Sequence, residues 1–270
     1  MSSPGSTVND ELPAVDDRLA PPETRYEVDD GKLVYVPPAD PPHATCQAKI
    51  AMLLGAHVGP DYLVATEMLT RTSKVDDIAP DASVYPRARD PVTGGRRLEE
   101  LAFEVASTQS LASAARKMAK LASRGVRRCF TIDIEHTRVL EWSHALSGWI
   151  ILDVNSHIDD PVLAVPLPMA ALVGAAKLDY AVNPALAAAL IARGEPVIAA
   201  ERARARAEGE ATGIAKGRAE ALLDLLAQRG LRPLAGERAR ILDERDLERL
   251  RRWSSRALTC SLVAEIFDPE

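Results

Sequence analysis

The chain has 270 residues, 47% of them hydrophobic and 27% charged, with aromatics at only 4%. That is an ordinary globular composition, long enough for one sizeable core or two smaller ones. Net charge is −6, but residues 1–30 hold eight acids against two arginines, so the remainder is balanced and the acidity does not exclude a nucleic-acid partner. The three cysteines, Cys46, Cys129 and Cys260, are far apart and form no CxxC or Cys/His cluster. A zinc site or disulfide framework is therefore not expected, and a reducing cytoplasm fits. No apolar run reaches the length of a membrane span, and the N-terminus lacks the basic segment and apolar core of a secretory signal.

In chain order, residues 1–22 are rich in Ser, Pro, Asp and Glu and are expected to be disordered or loosely attached. Arg25–Val28 and Lys32–Val36 flank Asp29-Asp30-Gly31, a strong hairpin signal. Pro37, Pro38, Pro41 and Pro42 then break the chain. A helix is predicted from His43 to about His57, with Ile50, Leu53 and Leu54 on its apolar face, stopped by Gly59-Pro60. Tyr62–Leu69 reads as a strand, and Asp76-Asp77 as a solvated loop. Two further strands follow, one opened by Asp81 and one containing Glu104. Between them lies a charged, turn-rich stretch with Asp90-Pro91 and Gly94-Gly95, the layout of a β-hairpin. An Ala-rich helix is predicted over 110–123, closed by Gly125, then a buried strand over 128–134 and a hairpin of 138–142 with 149–152. The mixed order predicts an α/β fold, a mixed sheet flanked by helices, over residues 23–165.

Residues 166–198 read as a connecting helical segment, with a short helix over 184–192. A long charged helix spans 199–230, interrupted by Gly209, Gly213 and Gly217. Each glycine costs about 1 kcal/mol against Ala, so this stretch is either a weak solvated helix or a smooth face for close packing. Residues 231–270 form a small helical module in which Asp246 caps a helix burying Leu247, Leu250, Trp253 and Ala257, and Ser261 caps a last helix. Its arginines also suit a DNA-reading helix pair, so a regulator acting through this module stays open beside a packing or assembly role.

Asp81 and Glu104 are the residues that carry chemistry. A hairpin brings the two carboxylates together, and buried carboxylates are costly unless their charge is offset. Mg²⁺ offsets it naturally, because it prefers oxygen ligands and commonly takes one or two carboxylates. Two residues beyond Glu104 stands Ala106, where a PD-(D/E)xK nuclease has its lysine. Lys117 and Lys120, on the following helix, can reach back instead. Arg116, Lys117, Lys120, Arg124, Arg127 and Arg128 put six cations in thirteen residues, a candidate grip for a phosphate backbone.

Taken together, the hairpin at 25–34, His43, Glu67, Pro80-Asp81-Ala82-Ser83-Val84, Phe103-Glu104-Val105-Ala106-Ser107, Lys117, Gly125-Val126 and Asp133 resemble the Uma-type (Uma-two) restriction endonuclease family of the PD-(D/E)xK superfamily. The resemblance covers about residues 24–155 and implies a restriction-endonuclease-like fold with a C-terminal helical extension. It implies metal-dependent phosphodiester hydrolysis, with Asp81, Glu104 and Lys117 catalytic and Asp81, Glu104 and Glu67 holding Mg²⁺ or Mn²⁺. The carbonyl of Val105 would be a further ligand, and Glu27, His43 and Lys120 accessory groups. The partner it implies is nucleic acid, double-stranded DNA, cut by a homodimer. Where the family often has Ser-Pro-Ser and then an acid, this chain has Ser107-Thr108-Gln109-Ser110 and Ser113. That departure leaves a catalytically inactive binding protein on the same fold as the alternative.

Overall fold

The computed structural model describes residues 13–21, 24–106, 111–177 and 181–267. The chain divides into two compact units, Met1–Gly194 and Glu195–Glu270. The first unit is built on two sheets. A six-stranded sheet has the order β10-β9-β8-β7-β6-β3, and a four-stranded one the order β2-β1-β5-β4. Their strands are β1 (Tyr26–Asp29), β2 (Lys32–Tyr35), β3 (Tyr62–Thr66), β4 (Thr70–Ser73), β5 (Asp76–Ile78), β6 (Ala82–Pro86), β7 (Leu101–Ala106), β8 (Arg128–Asp133), β9 (Arg138–Ser143) and β10 (Gly148–Leu152).

In the larger sheet β7 and β8 are parallel and the remaining pairs antiparallel. The parallel pair needs a crossover, and α2 (Leu111–Arg124) supplies it. Central β7 is buried along its whole length. Its alternate residues serve two layers. Phe103 and Val105 join the main core with α1 (Pro41–His57) and α3 (Met169–Ala175), whereas Ala102 packs in the cluster containing Met118 and Leu121 of α2. Phe103 stacks on Phe130 with ring centroids 5.1 Å apart. Each such buried side chain contributes roughly 1.5–3 kcal/mol.

Local rules explain the smaller elements. Asp30 and Gly31 have φ of 49° and 74°, the backbone a two-residue hairpin turn requires, so β1 and β2 pair antiparallel from Tyr26↔Tyr35 to Asp29↔Lys32. Pro41 and Pro42, expected to break the chain, instead form the first turn of α1, where a missing N–H costs nothing. Asp40 caps that turn by accepting from the His43 N–H at 2.9 Å. Gly125, with φ of 117°, ends α2.

Three expectations are corrected. Residues 13–21 are not loosely attached: Val15 and Ala20 are buried, Asp16 pairs with Arg96 at 3.5 Å, and the Leu19 and Ala20 N–H groups donate to the Asp77 carboxylate. Residues 1–12 of the same expectation lie outside the described residues. Asp76 and Asp77 are not a solvated loop but buried in β5. Their charges are met by those amides, the Asp30 N–H, Ser73 and Lys120. The segment 166–198 is no mere connector. The short strands β11 (His157–Ile158) and β12 (Leu167–Pro168) pair, and Leu167, Met169, Leu172 and Val182 sit in the main core. α4 (Asn183–Ala192) packs on α1.

The second unit is helical: α5 (Pro196–Gln228), α6 (Ala235–Asp243), α7 (Leu247–Ala257) and a 3₁₀ turn at Val263–Ile266. Leu222, Leu226, Ile241, Leu250, Trp253 and Ile266 form its core. Asp246 caps α7 through the Glu248 and Arg249 N–H groups, as expected. Ser261 does not cap the last turn with its side chain; its N–H donates to Glu265. A Cβ at Gly209, Gly213 or Gly217 would meet no described atom within 4 Å, so these glycines do not serve close packing here. No helix among the described residues is long and apolar enough to cross a membrane.

Candidate active site

Antiparallel pairing of β6 with β7 sets Ala82 opposite Phe103. Asp81, just before β6, therefore lies beside Glu104. The Asp81 N–H donates to Glu104 Oε2 at 3.4 Å, and the Val105 N–H donates to Asp81 Oδ2 at 2.7 Å. Both carboxylates are buried, Glu104 completely. α2 brings Lys117 across them: Nζ donates to Glu104 Oε1 and to the Ala79 carbonyl, each at 3.0 Å. From β1, Glu27 closes the other side, 3.3 Å from Lys117 Nζ and accepting the Ala79 N–H at 3.1 Å.

The first two turns of α1 complete the group. His43 Nε2 lies 3.1 Å from Asp81 Oδ1, and Gln47 Nε2 donates to the same oxygen at 2.9 Å. Gln47 also donates to Glu67 Oε1 at 3.2 Å. Glu67 is not on a strand. β3 ends at Thr66, and Glu67 occupies a left-handed turn with φ of 48°. Such a conformation costs a non-glycine residue of order 1 kcal/mol and clusters at functional sites.

Electrostatics separate the roles. Burial first, then the charge of Asp81, pushes the Glu104 carboxyl up from 4.5 to about 7, even though Lys117 pulls the other way. One ammonium does not offset two buried carboxylates. Burial opposes ionisation of Asp81 as well, but hydrogen bonds from His43, Val105 and Gln47 hold it below the usual carboxylate range. Lys117 is penalised by burial, yet Glu104, Glu27 and Asp81 raise it above its ordinary value and keep it protonated. His43 is raised above 6.5, chiefly by its hydrogen bond to Asp81. Among the described residues, Thr131, beside Glu104 in the β7–β8 ladder, keeps a buried hydroxyl with no partner. The group opens on a pocket of about 1270 Å³, whose walls include Tyr26, Glu27, His43, Glu67, Asp81 and Lys117.

Of the residues singled out from sequence, Asp81, Glu104, Lys117, Glu27 and His43 meet directly, and Glu67 joins through Gln47. Lys120 does not reach this group. One turn beyond Lys117, it binds Asp29, Asp30 (2.8 Å) and Asp76 (2.6 Å). Those three acids also form a close carboxylate cluster. The other cations are dispersed. Arg124 donates to the Arg71 and Pro13 carbonyls, Arg127 pairs with Glu100 and Asp160, and Arg128 with Glu141 and Asp160. Arg116 is exposed on α2. Ser107–Ser110, the segment that departs from the family pattern, lies outside the described residues. Sequence reading missed Gln47. Its signal was the four-residue spacing from His43, which puts both side chains on one face of α1.

Comparison with known proteins gives this geometry a family. Residues 11–170, more than half of the chain, match the family model Uma2, described as "Putative restriction endonuclease". No curated protein matches the chain. Among solved structures, one similar chain is "a putative nuclease belonging to DUF820 from Anabaena variabilis ATCC 29413"; it is 16% identical, covers 56% of this chain and 91% of its own, and has a TM-score of 0.47. The length of the family match shows that the chain belongs to the Uma2 family.

Proposed function

We propose that the chain is a divalent-metal-dependent nuclease that hydrolyses phosphodiester bonds in DNA at Asp81, Glu104 and Lys117. The observation that carries the proposal is the convergence of two buried carboxylates with one buried ammonium, Glu104 Oε1 lying 3.0 Å from Lys117 Nζ. The donor set fits a hard cation. It is all oxygen, it holds more negative charge than Lys117 offsets, and burial together with the charge of Asp81 pushes Glu104 up to about 7. Asp81 and Glu104 would hold the ion, with Glu67 as a further oxygen donor. When bound, it supplies Lewis acidity toward a phosphoryl oxygen.

The remaining roles belong to the chain. Lys117, kept charged by its neighbours, donates to oxygens on which charge develops and cannot serve as a base. Gln47 holds Asp81 and Glu67 in register. His43, in the same pocket and raised above its ordinary value by its hydrogen bond to Asp81, holds a proton beside that carboxylate. The test is cleavage of plasmid and oligonucleotide DNA with Mg²⁺ or Mn²⁺, abolished by EDTA, by Asp81→Asn and by Glu104→Gln. Circular dichroism must show both variants folded. Undiminished cutting by Glu104→Gln would remove the assignment.

A further inference from the structure

The pocket is walled on one side by the β1–β2 hairpin, which carries an exposed pair of tyrosines. Tyr26 and Tyr35 stand directly opposite each other in the register, with rings edge to face at 5.7 Å. The chain has only five tyrosines, and this pair is 39% and 58% exposed. Leu33, Val34 and Val36 of the same hairpin are exposed as well. Tyr26 and Val36 belong to the pocket that holds Asp81 and Lys117, and Glu27, next to Tyr26, contacts Lys117. Arg18 and Arg25, both exposed, line that pocket too. An exposed tyrosine pair, of which Tyr26 shares the pocket wall with two guanidinium groups and with Asp81 and Lys117, matches the chemistry of an unstacked base and its phosphate.

Two observations favour a single strand. Asp81 and Glu104 are 6% and 0% exposed, and Asp81 lines the pocket, so the carboxylates lie in a recess and not on a convex surface. Meanwhile Arg127 and Arg128, two of the six cations that suggested a grip on a phosphate backbone, are taken up in ion pairs within the chain.

We propose that the pocket binds single-stranded nucleic acid, with the Tyr26–Tyr35 pair as the platform on which a base next to the scissile phosphate stacks. This rests on the nuclease reading above for its orientation but not for its test. Binding of fluorescein-labelled twelve-nucleotide oligo(dT) and oligo(U), and of a blunt hairpin duplex, is measured by anisotropy in EDTA, where no cleavage occurs. The full chain, Tyr26→Ala/Tyr35→Ala and Tyr26→Phe/Tyr35→Phe are compared, each checked for folding by thermal melt. Single strands are expected to bind more tightly than the duplex. The Ala pair should lose between about fivefold and a hundredfold in affinity, while the Phe pair, which keeps both ring faces, stays within about threefold.

Equal binding of duplex, no binding of single strands, or equal affinity of the Ala pair would each overturn the proposal. So would sedimentation showing a dimer that the Ala pair dissociates without effect on oligonucleotide binding, because the hairpin would then be a contact between copies. A separate Mn²⁺ cleavage assay keeps the two readings apart. Strand binding without cutting sinks the nuclease assignment alone, and cutting with unaltered binding by the Ala pair sinks the platform alone.

Discussion

Removing the negative charge of Glu104 should change how the stability of the metal-free protein depends on pH. In the unfolded chain this carboxyl titrates near 4.5, and in the fold at about 7. Its folded pKa is raised, so its contribution is fully present below 4.5 and is lost as pH rises through 7. The full interval corresponds to about 3 kcal/mol, most of it released between pH 5 and 8. For a unit of this size 1 kcal/mol moves the melting temperature by roughly 2–4 °C, so the metal-free protein should lose on the order of 5–10 °C over that range. His43, also raised, adds loss in the same direction, and His57, which burial lowers, acts in the opposite sense. Both are present in Glu104→Gln, so the difference in slope between the two proteins reports chiefly on Glu104, with a smaller part from His43, which the charge of Glu104 helps to raise. Differential scanning fluorimetry in EDTA from pH 5 to 8 provides the readout, with wild type falling more steeply than the variant. At pH 8, Mn²⁺ should restore the melting temperature of wild type and not of Glu104→Gln. Parallel curves for the two proteins would show that burial does not strain this carboxylate and would refute the charge-excess reasoning.

Lys117→Ala should abolish cleavage, whereas Lys120→Ala should leave it intact and cost about 1 kcal/mol of stability by urea melt, because Lys120 serves only its partly exposed acid cluster. Equal loss of activity in both would return Lys120 to the site. Gln47→Leu should weaken Mn²⁺ binding by about ten- to a hundredfold in calorimetry by releasing Asp81 and Glu67; unchanged affinity would make it a packing residue. Trp253→Ala should destabilise the C-terminal unit by about 3–5 kcal/mol, read as early loss of helical ellipticity in urea; a loss below 1 kcal/mol would mean that its core collapses around the gap.

The periodic elements were legible because their local signals agree with the fold. Asp30-Gly31 sets its own turn, and Phe103 and Val105 alternate with Glu104 as a central strand demands. The order of Asp81, Glu104 and Lys117 was enough to anticipate which groups meet. What sequence concealed depended on distant partners. Asp76 and Asp77 look like solvent-facing acids until the chain from residue 13 delivers backbone N–H groups and α2 delivers Lys120. Cations clustered in sequence are scattered in space because α2 and β8 point them to different neighbours. Glu67 read as strand because nothing local announces a left-handed residue between two sheets. The segment after residue 166 lacked a strong period, since its core contributions come from a two-residue strand and short helices.

The docking of residues 13–21 bears on how shortened or tagged versions of this protein would behave. Asp77 is fully buried, and the Leu19 and Ala20 amides supply two of the groups that meet its charge. A recombinant start codon placed after residue 21 would strip both amides from a buried anion, leaving it only the distant Arg71 at 3.9 Å, in the middle of a four-stranded sheet whose outer hairpin carries Glu27. An inert preparation of that kind would report on a trimmed N-terminus, not on the chemistry of the proposed site.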